Sequence, residues 1–170
     1  MIRFLFPALT PAPDGGAALF DAVTSKAREP DWYVEGEVPD TLDGRFRILA
    51  TIAALVAVRL EHESNAGETL SVAFAERFIE VMDSEHRELG LGDPTLGKTV
   101  RKLVGSLARR VELWRSAAAG QTDWNDAARD SAYKGEVAEG PLTHTAEALR
   151  SFWSVLQAAD YAALERGRLE

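Results

Sequence analysis

The stretch LGKTVRKLVGSLARRVELWR, residues 96–115, decides the fold class. Its apolar residues recur at steps of three and four, which is the period of an α-helix with one buried face. They are Leu96, Val100, Leu103, Leu107, Val111 and Trp114. Just before it, Asp93 is a suitable N-cap and Pro94 suits the first helical position. We therefore predict a helix that opens at Asp93-Pro94 and continues to Gly120.

The same period predicts three helices on the N-terminal side of this stretch. The nearest follows a break at residues 64–67 and ends at Gly90, with a stripe of Leu70, Phe74, Phe78, Val81 and Leu89. A central helix is capped by Asp40, Thr41 or Asp43 and extends to about Glu63. The first helix is capped by Asp14, reaches about Arg28 and is stopped by Pro30.

Two helices are predicted on the C-terminal side. Thr122 or Asp123 caps a short one, which Gly135 and the pair Gly140-Pro141 bring to an end. The last helix runs from about Thr143 to Arg166.

The remaining segments contain no sustained alternation of apolar and polar residues, so we predict no sheet. Residues 29–42 have prolines and a glycine but no helical period, which indicates an ordered loop anchored by Trp32 and Tyr33. We expect an all-α, single-domain bundle of about six helices. Residues 1–16 form a lead-in segment and residues 17–170 form the helical domain.

The composition excludes several classes of protein. A chain of 170 residues with 46% hydrophobic and 27% charged residues is typical of one globular domain. The absence of cysteine excludes a disulfide framework, a thiolate zinc site and a cysteine nucleophile. A net charge of −8 argues against general DNA binding. The apolar opening at residues 1–9 is too short for a signal peptide, so we expect a soluble, unprocessed, cytoplasmic chain.

A group of cations lies on the predicted helix of residues 96–115, opposite its apolar stripe. Lys98, Arg101, Lys102 and Arg109 share one arc around Gly105, without an acidic neighbour expected there. We call these five residues the cationic surface. It is either a docking site for an anionic partner or an ordinary solvated face. We also include the adjacent Arg110 among the predicted partner-binding residues.

The sequence is compatible with two other binding functions. Glu80, Asp83 and His86 follow one another at three-residue steps and could hold a metal, although a solvated polar face is the simpler reading. Trp114, Trp124 and Trp153 could line a groove for haem or a hydrophobic ligand, although core packing is the favoured explanation for them. No Ser-His-Asp set, phosphate loop or dinucleotide fingerprint is visible, so classical hydrolase and nucleotide chemistry are not expected.

Two motifs resemble the ubiquinol-cytochrome c chaperone family. The first is AREPDWY at residues 27–33, followed by VPDTLDGRF at residues 38–46. The second is MDSEHRELGLGD at residues 82–93, which runs into Leu96-Gly97-Lys98. The resemblance covers about residues 19–116. The residues that match the family motifs are Pro39, Asp40, Thr41, Asp43, Gly44, Arg45, Phe46, Asp83, Arg87, Glu88, Gly90, Gly92 and Asp93.

The resemblance implies a non-enzymatic helical chaperone without a cofactor. Such a protein binds newly made cytochrome b and supports the biogenesis of ubiquinol-cytochrome c reductase, or complex III. Mitochondrial members act near the translating ribosome, and this chain resembles the bacterial branch because it lacks an Arg- and Ser-rich transit segment. Contact with the inner membrane and the oligomeric state are left open. The chain departs from the family pattern at His86, Arg109-Arg110 and Trp114.

The motif residues also have simple structural explanations. Asp40, Thr41 and Asp43 can cap the central helix, which is the simpler explanation, and the alternative that we consider next is a buried ion pair of Arg45 with Asp83 or Glu88. Asp83 and Arg87 are expected to attract one another across one helical turn. Residues 90–94, with Gly90, Gly92 and Asp93, form a corner that sets the angle between two helices.

Overall fold

A computed structural model describes residues 16–88, 90 and 96–169, and every regular element in these residues is a helix. The all-α prediction is confirmed, but the expected count of about six is corrected to eight in this part of the chain. Two of the eight have only four and five residues. The helices are α1 Ala17–Ala27, α2 Asp31–Val34, α3 Leu42–Leu60, α4 Asn65–Glu88, α5 Leu96–Ala118, α6 Trp124–Ala132, α7 Glu139–Ala158 and α8 Tyr161–Glu165.

Helix α3 is the centre of the fold, as predicted. It contacts α1, α4, α5, α6 and α7, and residues from Ile48 to Val56 are buried on every side. Thr41 is its N-cap, because the Thr41 hydroxyl accepts a hydrogen bond from the Gly44 amide at 3.2 Å. A helix buried all round must be apolar all round, which explains the long apolar run in this part of the sequence.

Helices α4 and α5 pack against α3 and against each other. The predicted break at residues 64–67 is shorter than expected, because α4 already begins at Asn65. Gly90 has a φ of 67°, the left-handed conformation that favours glycine after a helix end. Leu89, Gly92, Asp93 and Pro94 lie outside the described residues, as does Asp14, the predicted cap of α1.

The C-terminal helices differ from the prediction in two ways. Helix α7 begins at Glu139, so Gly140 and Pro141 lie in its first turn instead of ending α6. Proline is tolerated in a first turn because the amide it lacks would have no helical partner there. The predicted last helix is also interrupted after Ala158, and Asp160 then caps α8 by accepting from the Ala163 amide at 2.7 Å.

The segment of residues 29–42 is packed down by its aromatic side chains, as expected. Trp32 is 1% exposed, and its indole donates to the Lys26 carbonyl at 2.8 Å. The Tyr33 hydroxyl donates to the Ala27 carbonyl at 2.8 Å. The short helix α2 inside this segment was not predicted, because four residues are too few to establish a period. Among the described helices, none has the length and apolarity needed to span a membrane.

Candidate functional site

The cationic surface lies on the outer side of α5. All five of its residues are exposed, whereas Leu103, Leu107 and Trp114 on the opposite side are at most 7% exposed. The predicted division of the helix into a buried and a charged side is therefore confirmed. The cations occupy three turns of one rigid helix, so their spacing is set by helix geometry.

Gly105 leaves an opening among these cations. A Cβ atom added at this position would have no atom within 4 Å. The neighbouring Val104 is 43% exposed. The surface therefore combines positive charge with a glycine, whose missing side chain would let another backbone come close.

One acidic residue lies on the same arc, contrary to expectation. Glu112 is one turn beyond Arg109 and is exposed. Its carboxylate pairs with Arg115, whose Nη2 also donates to Glu61 at 2.7 Å. Arg115 therefore pairs with Glu112 on its own helix and with Glu61 just after α3, beyond the C-terminal end of the cationic surface.

Arg110 does not belong to the exposed surface, so its inclusion among the partner-binding residues is corrected. The residue is only 3% exposed. Its Nη1 donates to the Ser106 hydroxyl at 2.7 Å, and its Nη2 donates to the Ser131 carbonyl at 3.0 Å. Burial lowers the pKa of Arg110 to about 10, so the group stays charged at neutral pH. Arg110 is buried although Arg109 is exposed, because one residue along a helix corresponds to a rotation of about 100°.

The first family motif begins α3 and joins it to the preceding segment. Gly44 is required sterically, since a Cβ here would lie 1.9 Å from the Pro39 carbonyl oxygen. The expected ion pair of Arg45 with Asp83 or Glu88 is wrong. Arg45 is exposed and its Nε donates to Asp40 at 2.6 Å, which lowers the pKa of the Asp40 carboxyl.

Asp43 and Phe46, the other two motif residues of this helix, contact different neighbours. Asp43 accepts from Arg47 Nε at 2.9 Å, one helical turn further along. The Phe46 ring lies 6.3 Å from the ring of Phe78 on α4, so Phe46 contributes to the contact between the two helices.

The second motif lies at the end of α4. Arg87 Nε donates to Asp83 at 2.9 Å, as predicted, and Glu88 is exposed. The side chain of His86 is outside the described residues, so the arrangement of Glu80, Asp83 and His86 is not established. Within the residues that the structure describes, no three His, Asp or Glu side chains are grouped as metal ligands.

The three tryptophans considered for a ligand groove belong to the core. Trp114 is 0% and Trp153 is 6% exposed, and Trp124 packs against the core with its ring 5.2 Å from that of Trp114. Core packing was the simpler reading, and it is confirmed.

A polar junction at the end of α6 was not foreseen. Arg47 from α3 donates to the Tyr133 carbonyl at 3.0 Å, close to the bond between Arg110 and the Ser131 carbonyl. Both guanidinium groups therefore satisfy carbonyls that the helix end leaves without partners. No local signal in the sequence could identify this junction, because Arg47 and Tyr133 are 86 residues apart.

Comparison with known proteins bears directly on this arrangement of motifs and helices. The chain has a fold similar to that in the crystal structure of the Cbp3 homolog from Brucella abortus, with a TM-score of 0.80 and 24% identity. The match covers 98% of this chain and 94% of that chain. A search of curated proteins found no match. The family model described as Ubiquinol-cytochrome C chaperone matches residues 35–170. The chain therefore belongs to the ubiquinol-cytochrome C chaperone family.

Proposed function

We propose that this protein is a non-enzymatic assembly factor for ubiquinol-cytochrome c reductase that binds newly made cytochrome b through the cationic surface. Membership of the chaperone family supports the assembly role. The observation that supports the location is the group of exposed cations on α5, in a chain whose net charge is −8.

The chemistry of the surface favours an anionic segment of the client. Lys98 and Arg109 are eleven residues apart, which is about 16 Å along a helix. A peptide of five or six extended residues spans that distance, so one acidic loop could contact all four cations. Positive charge on an otherwise negative molecule steers such a segment to this face and raises the association rate. Binding is therefore expected to weaken as salt increases.

The cellular location follows from the client. Cytochrome b is a membrane subunit, so a cytoplasmic factor would meet it at the inner membrane, at or near the translating ribosome. The proposal requires only peripheral contact with the membrane. It requires no cofactor and no catalytic group.

The test reverses the charge of the surface. The triple variant Arg101→Glu, Lys102→Glu and Arg109→Glu is expected to lose cytochrome b from affinity purifications and to lower the level of assembled complex III. The matched control reverses Lys134, Arg166 and Arg168, three exposed cations elsewhere, and so changes the net charge equally. The control should still recover cytochrome b and should leave the level of assembled complex III unchanged. Equal behaviour of the two triple variants, with both folded by circular dichroism, would reject the proposed surface.

A further inference from the structure

The junction at the end of α6 connects three helices through buried polar groups. Arg110 on α5 donates to the Ser131 carbonyl at 3.0 Å. The Ser131 hydroxyl accepts from the Trp114 indole of α5 at 3.1 Å and lies 2.5 Å from the Thr51 hydroxyl of α3. Ser131, Thr51 and Arg110 are each at most 3% exposed. Arg47 from α3 completes the junction through its bond to the Tyr133 carbonyl.

The burial of Arg110 at this position carries a large desolvation cost. None of the ion pairs of the described residues involves Arg110, because Asp43, whose charge acts on it, pairs with Arg47 at 2.9 Å, and the Arg110 Nε has no hydrogen-bond partner there. A buried cation loses its hydration and regains it only in part from neutral oxygens. The groups that compensate it are carbonyls at a helix C-terminus, where the helix dipole is negative. A neutral side chain of similar length would fill the same space at a lower desolvation cost.

Hydrogen bonds restrict the rotation of a helix about its axis more strictly than apolar contacts do. Leu103 and Leu107 hold α5 against the core, but apolar packing is non-directional and tolerates small rotations. A guanidinium and an indole bonded to one serine tolerate far less rotation, because both bonds have strict geometry. Arg110 directly follows Arg109, so a fixed direction for one side chain fixes the direction of the next.

We propose that the junction of Arg47, Thr51, Arg110, Trp114 and Ser131 sets the rotation of α5 about its axis, and thereby the direction in which the cationic surface faces. Arg110 is thus a positioning residue, and it acts on the client only through α5. This role in client binding rests on the proposed function, whereas the effect on helix orientation can be measured without the client.

Helix orientation can be measured directly, since the chain contains no cysteine. Spin labels at Ala108→Cys on α5 and Ser154→Cys on α7 occupy exposed positions and report the distance between these helices. Ser25→Cys on α1, paired with Ser154→Cys, is the control pair. In the variant Arg110→Met, the 108–154 distance distribution should shift or broaden beyond its wild-type width. The 25–154 distribution should not change.

Client binding is then measured with the same substitution in the cysteine-free protein. Arg110→Met should recover much less cytochrome b than the wild type, and Arg110→Lys should restore part of the loss, since it keeps one donor. Val23→Ala, in the core of α1, is the control for stability alone. It should retain cytochrome b even if it lowers the melting temperature as much as Arg110→Met.

The outcomes separate the two proposals. An unchanged 108–154 distance in Arg110→Met would overturn the role of the junction, whatever the client does. A changed distance with full recovery of cytochrome b would overturn its role in binding. If the triple charge reversal on α5 leaves cytochrome b bound, the docking surface is rejected, and the distance measurement still decides whether the junction orients α5.

Discussion

Gly44 and Gly105 show how differently one residue type is used in two helices. At Gly44 the chain passes so close to the Pro39 carbonyl that a side chain would meet it at 1.9 Å. At Gly105 the same added atom would project into open space. Glycine is a sterically required residue in the first case. In the second it costs helix stability, and the structure of the chain alone does not require it.

The substitution Gly44→Ala is therefore expected to destabilise the protein by about 2–4 kcal/mol. The added methyl group would overpack the site, because the neighbouring backbone carbonyl cannot move aside. Gly105→Ala is the matched control and should stabilise it by about 0.5–1 kcal/mol. Urea unfolding followed by circular dichroism measures both. A neutral Gly44→Ala would contradict the close approach of α3 to Pro39.

At the scale of the element, Arg59 decides where α7 ends. Its Nε donates to the Leu156 carbonyl at 2.8 Å and its Nη2 donates to the Ala159 carbonyl at 2.9 Å, while Nη1 pairs with Glu63 at 2.6 Å. These carbonyls belong to the last turn of α7 and the residue after it, where no helical amide is available. The side chain from α3 therefore holds the point at which the chain leaves α7 for α8.

Replacing Arg59 with Met should loosen α8 while leaving the apolar stem of the side chain in place. The loss of two hydrogen bonds to partly buried carbonyls corresponds to about 1–3 kcal/mol of local stability, so chymotryptic cleavage at Tyr161 should accelerate about tenfold or more. Arg77→Met, which breaks an exposed pair with Glu80, is the control. Equal cleavage rates in the two variants would show that Arg59 does not secure this end of α7.

At the scale of the whole molecule, Tyr133 joins segments that are far apart in the sequence. Its hydroxyl donates to the Gly36 carbonyl at 2.6 Å and lies 2.7 Å from the Thr145 hydroxyl. It therefore links the segment after α2 to α7 from a position at the end of α6. Burial raises the pKa of Tyr133 above its ordinary value, because the phenolate would lose its hydration.

This shift predicts a loss of stability at alkaline pH. The raised pKa in the folded state means that the neutral phenol contributes stability fully below the unfolded pKa of about 10, and that this contribution is lost as pH rises through the folded pKa. At pH 8, Tyr133→Phe should be less stable than the wild type by about 1–3 kcal/mol. The difference should shrink above pH 10, as measured by urea unfolding across that range.

Tyr161→Phe is the control for the stability difference expected at pH 8. The hydroxyl of Tyr161 makes only exposed contacts, at 3.3 Å to the Ala66 carbonyl and 3.5 Å to Glu165. Its replacement should therefore change stability at pH 8 much less than Tyr133→Phe does. A difference between wild type and Tyr133→Phe that is constant from pH 8 to pH 11 would contradict the raised pKa.

The parts of the site that depend on a single helix could be predicted from the sequence. The exposure of the cationic surface follows from helical period and the apolar stripe opposite, and the Asp83–Arg87 pair follows from i, i+4 spacing. The ion pair of Arg45 was predicted wrongly because nearby Asp40 competes with the more distant Asp83 and Glu88. A flexible surface cation pairs with the carboxylate that is nearest in space, which periodicity does not identify.

The sequence by itself determined the class of fold, the buried sides of α4 and α5 and the presence of a cationic stripe on a negative chain. It could do so because these properties depend on the order of apolar and polar residues along one helix. Only the tertiary structure decided that Arg110 is buried, that α7 stops before α8, and that Arg47 and Arg110 meet at the end of α6. Those outcomes depend on directional bonds between residues distant in the chain, and helical period carries no information about such partners.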